Sequence, residues 1–298
     1  MAQTANTLSV TGLTDYVKQN KDQLFIKSAL GAKTLDYVEI MTDVKGKEAL
    51  HYLDSEVVFQ KAACGWNPQG SDEFSERYIE TVPIEIEKEF CIFDFEKKIY
   101  AWDIAYQAGR ESLPVEEKLA ESNVNAINDA LENLLWAGDD TLGISGFVPS
   151  IREEGESVSF ESGQTVSEKV NAMVAGLTAD MLKKGVNIFM SMTDFRNYVL
   201  ESNSTCCANR PILDAASESI IFAGDSRIKL VPVAGLEGMD VMVAATPDAL
   251  VYATDIEDSQ SVYRMFLDEK ENKVLFHVLF RAGTAVKFPD EVVLGEVR

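Results

Sequence analysis

The sequence predicts an α+β fold, and three observations lead to it. Apolar residues recur at helical spacing from Leu113 to Ala137. Strand-like segments with alternating polarity occupy much of residues 36–90. From Arg227 onward, short apolar runs alternate with turns rich in Gly, Pro and Asp. With 298 residues, the chain is long enough to bury a proper core in one large or two modest domains.

The N-terminal part predicts an arm followed by a ribbon. Residues 1–35 are polar with one amphipathic stretch, Leu13 to Leu30, which is typical of an arm. Strand-like pieces at 36–44, 48–54 and 55–61 predict hairpins, because the turn-like Lys45-Gly46-Lys47 and Asp54-Ser55 separate them. Residues 62–76 are rich in Gly, Pro, Asn and Ser and predict an exposed loop around Trp66.

The segment from Tyr78 to Phe90 predicts a half-buried strand. Val82, Ile84 and Ile86 share one face, and three glutamates alternate with them on the other. Residues 36–82 hold too few apolar positions to close a core, and an isolated two-stranded ribbon is marginal in water. The ribbon must therefore pack either on its own domain or on another copy.

The segment Leu113 to Ala137 predicts a long helix. Its expected apolar stripe consists of Val115, Leu119, Ile127, Ala130, Leu131, Leu134 and Leu135. Ser112 suits the N-cap, Pro114 the first turn and Gly138 the stop. At about 1.5 Å per residue, this helix would cross the whole molecule.

After Gly138 a turn-rich loop leads into an apolar segment, and the polar stretch 152–165 follows. Periodicity predicts a helix from Val166 to Leu177 and a strand-helix unit at 186–202, in which Ser191, Thr193 or Asp194 can cap the helix.

The last third predicts mostly strands. Residues 269–272 predict a hairpin turn between two of them. The continuous apolar run Val274 to Phe280 predicts a central strand buried on both faces, with His277 as a core residue.

The composition excludes several classes of function. Asp and Glu number 49 against 27 Lys and Arg, a formal charge of -22, and no basic cluster occurs, which argues against sequence-specific nucleic-acid binding. No apolar run approaches the roughly 20 residues of a membrane helix, and the first residues lack the pattern of a signal peptide. We expect a protein made in the cytosol, with its four cysteines, Cys64, Cys91, Cys206 and Cys207, reduced.

Motifs for catalysis, cofactors and metals are not found. The sequence contains no P-loop, no dinucleotide-binding glycine pattern, no H-E-x-x-H and no calcium-loop spacing, so we expect no cofactor and no metal. Any Ser/His or Cys/His mechanism would need His51, expected on the surface, or His277. The pairs Asp139-Asp140 and Glu153-Glu154 lie in polar loops, where solvated turns are expected. We therefore expect no enzyme.

The order of the elements resembles the major capsid proteins of tailed bacteriophages, a fold shared with encapsulin shells. The resemblance covers nearly the whole chain, and its most telling stretch is LLWAGDDTLGISGFVPS, Leu134 to Ser150, a Gly-Asp turn and G-I-x-G segment after a long helix. It implies an N-terminal arm at 1–35, an extended loop at 36–82, a peripheral domain at 83–163 and 257–298 with its spine helix at 113–137, and an axial domain at 164–256. The final strands, Val262 to Val293, would return to the peripheral sheet.

The resemblance also implies partners. Copies would form hexamers and pentamers in an icosahedral shell, the capsid of a virion assembled in the host cytoplasm, enclosing double-stranded DNA without reading its sequence. The chain starts at Met1 without the long helical scaffolding segment of some family members, which implies a separate scaffold protein or none. Portal and cement proteins would be further partners. No cross-linking residues are implied. The side chains expected to contact neighbouring subunits are Tyr37, Ile40, Lys45, Lys47, Tyr52, Phe59, Trp66 and Phe74.

Two alternatives stay open. An encapsulin-like compartment shell would enclose an enzyme instead of DNA. A cytoplasmic α+β enzyme would use clustered carboxylates, with or without a divalent metal, in a small oligomer.

Overall fold

The computed structural model describes residues 17, 19–56, 71–91, 115–204, 212–214, 219–255, 262–268, 270–271 and 273–297. Only the backbone is described for residues 52–56, 71–74, 115–119, 203–204, 212–214, 262 and 267. No helix within these ranges is both long and apolar enough to span a membrane.

The helices carry the following bounds: α1 Lys21–Leu30, α2 Val115–Ala137, α3 Phe147–Glu154, α4 Val166–Ala175, α5 Ala179–Lys184 and α6 Met192–Ser204. Short 3₁₀ turns occupy Lys33–Asp36, Ala234–Leu236 and Pro289–Glu291. The long helix α2 confirms the predicted spine-like helix, and Gly138 follows it with φ +73°. Residues 112–114, with the predicted cap, lie outside the described residues.

The strands are β1 Glu39–Thr42, β2 Lys47–Glu56, β3 Ser71–Glu80, β4 Val82–Cys91, β5 Gly138–Asp139, β6 Ile144–Ser145, β7 Glu156–Phe160, β8 Val186–Ser191, β9 Ile212–Asp214, β10 Ser219–Ile221, β11 Ile228–Val233, β12 Val241–Ala245, β13 Leu250–Thr254, β14 Val262–Asp268, β15 Lys273–Val286 and β16 Val292–Val297. They form one seven-stranded sheet, one five-stranded sheet and two separate pairs, β2 with β3 and β5 with β6.

The seven-stranded sheet has the order β7-β16-β12-β8-β11-β10-β9. Every residue of β8 and β12 is buried, because α4 and α6 cover one face and the core around α2 and α3 covers the other. Burial on both faces explains why these two strands read as continuous apolar runs. The strand-helix unit β8–α6 is confirmed, and Ser191 Oγ accepts a hydrogen bond from the Asp194 backbone N at 3.0 Å.

The five-stranded sheet is organised around β15. β4 pairs antiparallel along one side of β15, while β14 and β13 pair one after the other along the opposite side. β1 extends the sheet by pairing in parallel with β13. The predicted hairpin at 269–272 is confirmed by the β14–β15 register, in which Asp268 lies opposite Lys273.

The inner face of this sheet packs on α1 and α2. Val274, Phe276, Val278 and Phe280 are buried there. The other face of β15 is only half-buried, so the prediction of a strand buried on both faces was wrong. His277 lies on that outer face and not in the core, because strand alternation places it opposite its buried neighbours.

The helix α2 buries Val124, Ile127, Leu131 and Leu135 as its period predicts, whereas Ala130 is exposed although the sequence placed it on the apolar stripe. Helix α1 buries Leu24, Phe25 and Ala29 in the same core. The arm expected at 1–35 therefore includes a helix that packs on the core, and residues 1–16 lie outside the described residues.

The predicted hairpin across Lys45-Gly46-Lys47 was wrong. β1 pairs with β13, about 210 residues away along the chain, and the hairpin is instead formed by β2 and β3. β2 runs without interruption through Asp54-Ser55, and residues 71–75, expected in a loop, belong to β3. Residues 57–70, including Phe59, Cys64 and Trp66, lie outside the described residues.

Candidate assembly surface

The feature that stands out from the two sheets is the ribbon, defined as β2 and β3. Its strands pair antiparallel from Lys47 opposite Glu80 to Glu56 opposite Ser71. At about 3.3 Å per residue, strands of this length reach roughly 33 Å. A pair of strands this long exposes unpaired backbone along both edges, which makes it a candidate for contacts with another chain.

The base of the ribbon packs on its own chain. Leu50 and Ile79 are 4% and 0% exposed and form a small cluster with Val44, Val251 and Ala253. The last two belong to the outer face of β13, opposite the face that joins the main core. Of the two possibilities left open by the sequence, packing on the same domain therefore holds for this end of the ribbon.

Thr81, between β3 and β4, fixes the base to the segment before β2. Its Oγ1 accepts from the Gly46 backbone N at 3.0 Å and donates to the Val44 carbonyl at 3.0 Å, while its own N donates to the Gly46 carbonyl at 2.8 Å. Gly283 in β15 permits this close approach, because an added Cβ would collide with the Glu80 carbonyl oxygen. The base is thus held by backbone contacts as well as by apolar packing.

An open cleft lies between the ribbon base, helix α3 and the end of β15. Arg77 spans it: its Nη1 donates to the Val286 carbonyl at 3.1 Å and also contacts the Glu154 carboxylate. The remaining lining is polar and acidic and comprises Ser75, Glu76, Tyr78, Ser150, Glu153, Thr284 and Ala285. Arg77 therefore fixes the ribbon to α3 inside a cleft whose other charges are negative.

Part of the ribbon base faces solvent. Tyr78 is 55% exposed, and Lys47 Nζ lies 4.4 Å above its ring. His51, confirmed as a surface residue, lies 3.5 Å from the Glu76 carboxylate. An exposed aromatic ring with a cation above it is the kind of group found at protein interfaces.

Beyond the ribbon base, the outer face of the five-stranded sheet is uncovered among the described residues. Phe266 is 47% exposed, and Leu275, directly opposite it in β15, is half-buried. Charged groups lie on the same sheet: Lys273 lies 2.9 Å from Glu89 and 3.0 Å from Glu271, and these hydrogen bonds raise the pKa of Lys273 to about 12. An exposed aromatic side chain is the kind of group found at subunit contacts.

A buried polar link fixes the start of the chain to α2. Glu132 accepts from Thr34 Oγ1 at 2.5 Å and from the Thr34 backbone N at 3.3 Å, and Trp136 Nε1 donates to Thr34 Oγ1 at 2.8 Å. Burial raises the pKa of Glu132, although the hydrogen bonds from Thr34 oppose the shift. These three side chains hold residues 33–36 against the long helix.

The eight residues predicted to contact neighbours fall into three groups. Ile40, 37% exposed, Lys45 and Lys47 lie at the surface, with Lys45 Nζ 3.4 Å from Asp43. Tyr37 lies partly inside, with its ring edge-on to Phe189 of the same chain at 6.2 Å. Tyr52 and Phe74 occupy ribbon strands with only their backbone described, and Phe59 and Trp66 lie outside the described residues.

The sequence did not single out Arg77, Thr81 or Phe266. Their roles depend on elements that lie far away in the chain. Arg77 contacts Val286, and the surroundings of Phe266 depend on how β14 pairs in its sheet. The one available signal was that Thr81 interrupts the alternating pattern between β3 and β4.

Comparison by sequence identifies no relative. No protein-family model matches the chain, and no curated protein matches it.

Solved structures, in contrast, match the fold along almost the whole chain. The satellite phage P4 procapsid including the size determination protein is 11% identical with a TM-score of 0.60, covering 98% of this chain and 92% of that chain. The virus-like particle from Pyrococcus furiosus is 11% identical with a TM-score of 0.56, covering 95% and 100%. The capsid of the Myoviridae phage XM1 is 13% identical with a TM-score of 0.53, covering 90% and 92%. The predicted capsid fold is thereby confirmed.

Proposed function

We propose that this chain is the major capsid protein of a tailed bacteriophage, many copies of which assemble as hexamers and pentamers into an icosahedral head around double-stranded DNA. The observation that carries the proposal is the match of the complete fold, over 98% of the chain, to a phage procapsid subunit. The proposal gives the chain no catalytic step: its work is done in contacts between copies.

Each structural part has a proposed place in the shell. The five-stranded sheet with α2 corresponds to the peripheral domain, and the seven-stranded sheet with α4–α6 corresponds to the axial domain. On this proposed division β7 and β16 would belong to the axial domain and β13 to the peripheral domain, in contrast to the limits of 164–256 expected from the sequence. The ribbon and residues before Val17 are the parts proposed to lie on neighbouring copies.

The ribbon supplies the contacts on one side of the proposed interface. Its base packs on the same chain, so its direction is fixed before assembly. Toward the tip, the register places Leu53 opposite Phe74, and we propose that these positions, with Tyr52, Phe59 and Trp66, pack on a neighbour. The outer sheet face around Phe266 is the proposed receiving surface, because this large aromatic side chain is exposed in one copy.

The negative charge suits a container for DNA. A formal charge of -22 disfavours adhesion of phosphate backbones to the inner wall, so packaged DNA would stay mobile. Purified protein should therefore bind DNA weakly and with little dependence on salt; tight binding at moderate salt would contradict this. Portal, scaffold and cement proteins are proposed as separate partners, in a virion assembled in the host cytoplasm.

A compartment shell is the second candidate. It is favoured by the match to the Pyrococcus furiosus virus-like particle, which is covered over its full length. The two candidates differ in the enclosed material: nucleic acid for a phage head, protein cargo for a compartment.

The decisive experiment is negative-stain electron microscopy of the purified chain, expressed alone and with its neighbouring genes, followed by analysis of the particle content. Closed shells, rings or sheets are expected, and nucleic acid inside particles formed with the phage packaging genes would favour the head. A protein that stays a small soluble oligomer under all of these conditions, with an activity that disappears when one carboxylate is substituted, would overturn both shell candidates.

A further inference from the structure

Three side chains with metal-binding atoms converge on the outer face of the five-stranded sheet. His277 of β15 lies directly opposite Glu87 of β4 in the antiparallel register, and Glu85 lies two residues further along β4 on the same face. Two adjacent paired strands therefore present one imidazole and two carboxylates in one direction.

The distances suit a shared ligand. One donor atom from each of the three side chains lies within 4.8 Å of the others, and His277 Nε2 is 2.7 Å from Glu85 Oε1. The His277 side chain is 24% exposed and Glu85 is 57% exposed, so the carboxylate is more accessible to solvent than the imidazole. Glu87 forms no ion pair with any described residue.

We propose that His277, Glu85 and Glu87 bind a divalent transition-metal ion of the zinc class. Zinc takes imidazole nitrogen and carboxylate oxygen at about 2.0–2.2 Å, and three protein ligands with water in the fourth position form a common arrangement. Donor atoms bound to one such ion lie about 3–4 Å apart. Rotation of the two exposed glutamates is enough to reach this geometry from 4.8 Å.

The mixed donor set decides between classes of ion. Calcium and magnesium prefer oxygen ligands only, whereas imidazole favours zinc and its neighbours among the transition metals. Two carboxylates on one face of a strand also repel each other in a chain of formal charge -22, and a cation relieves that repulsion. Arg264 of β14 lies opposite His277 on the other side of β15, so the ion must compete with its positive charge.

The sequence alone could not predict this site. Glu85 and His277 are 192 residues apart, and neither belongs to a spacing motif. The expectation of no metal rested on such motifs, and only the strand register brings the three residues together. The proposed site does not depend on shell formation, because all of its ligands belong to one chain.

The test is calorimetric titration of the folded chain with Zn²⁺ in an excess of Mg²⁺, which occupies carboxylate-only sites. Because thiols also bind zinc, the titration uses a variant in which Cys64, Cys91, Cys206 and Cys207 are serine. One site per chain is expected, and His277→Ala and Glu87→Gln should each weaken binding by at least about tenfold. Glu87→Gln leaves the His277–Glu85 contact intact, so circular dichroism should show an unchanged fold.

The matched control is His51→Ala. His51 is the other histidine of the chain, and it lies 3.5 Å from a single glutamate with both side chains more than half exposed, so its loss should leave zinc affinity unchanged. If the cysteine-free variant does not fold, Co²⁺ is added instead to the chain that keeps its cysteines. The substitution His277→Ala should then remove the visible absorption of Co²⁺ that is not accompanied by thiolate charge-transfer bands. The proposal would be overturned if His277→Ala bound zinc as tightly as the chain with all three ligands, or if Mg²⁺ displaced the zinc completely.

Discussion

At the scale of single residues, Glu132 sets up a pH dependence. It is 3% exposed on α2, and burial raises its pKa above the ordinary glutamate value of 4.5. The folded state therefore binds its proton more tightly than the unfolded state does. The corresponding stabilisation is complete below pH 4.5 and is lost as the pH rises through the folded pKa.

We therefore expect Glu132→Gln to gain stability relative to the unmodified chain as the pH rises above 4.5, since glutamine does not ionise. The measurement is the free energy of unfolding in urea at several pH values on both sides of 4.5. Glu121→Gln, an exposed substitution on the same helix, is the control and should run parallel to the unmodified chain. If the free energy of unfolding of Glu132→Gln changed with pH in parallel with that of the unmodified chain, the pKa of this carboxylate would not change on folding.

Gly283 provides a second residue-scale prediction. A Cβ at this position would meet the Glu80 carbonyl oxygen and the Thr81 Cα, both of them backbone atoms that cannot rotate away. We expect Gly283→Ala to cost about 1–3 kcal/mol, as overpacking does in other cores. Urea unfolding measures this cost, and hydrogen exchange should become faster at Gly46 and Thr81 first. An unchanged exchange rate at these amides would mean that the ribbon base does not depend on this contact.

At the scale of elements, the ribbon base depends on Thr81. Thr81→Val keeps the side-chain shape but leaves the Gly46 N–H without its acceptor and removes the donor to the Val44 carbonyl. A buried group left without a hydrogen bond costs about 1–3 kcal/mol. We expect a loss of stability of this size in urea unfolding, whereas Thr42→Val, exposed on the neighbouring β1, should cost much less. Equal effects of the two substitutions would contradict this role.

Local periodicity predicted the elements whose surroundings are simple. α2 buries one stripe, so its period of 3.6 residues is visible in the sequence. β4 buries Ile84 and exposes Glu85, Glu87 and Glu89, so its alternation is visible too. Helix α3 escaped prediction because it is only eight residues long and follows a glycine-rich turn.

Partners across the sheets could not be predicted in the same way. β1 is only four residues long, and nothing in its residues distinguishes pairing with β2 from pairing with β13. The assembly surface has the same limitation: the Arg77 contact with α3 and the exposure of Phe266 depend on where distant elements lie. His277 is an example. The apolar run around it predicted a core residue, whereas its position on the half-buried face of β15 depends on how the sheet packs.

At the scale of the whole molecule, α2 connects the two sheets. Its buried residues share one core with the inner face of the five-stranded sheet and with one face of the seven-stranded sheet. A single core of this size does not need the ribbon tip, because the ribbon contributes only Leu50 and Ile79 at its base to the apolar packing described here. Folding of the subunit and the proposed assembly should therefore be separable by shortening the ribbon.

Replacing residues 57–70 by Asn-Gly tests this separation. Glu56 and Ser71 are already paired, so a two-residue turn of this type closes the hairpin without changing its register. We expect the shortened chain to fold, with a thermal midpoint within a few degrees of the full chain as a rough estimate, because the buried contacts of the base remain. In negative-stain microscopy it should form no closed shells, since the tip can no longer reach a neighbour.

A second variant, with residues 57–70 replaced by Gly and Ser at the same length, separates the length of the ribbon from the identity of its side chains. It should also form no closed shells if the aromatic residues Phe59 and Trp66 make the contact. Normal shells from both variants would remove the ribbon tip from the proposed interface and leave the outer sheet face around Phe266 to be explained by another part of the neighbouring copy.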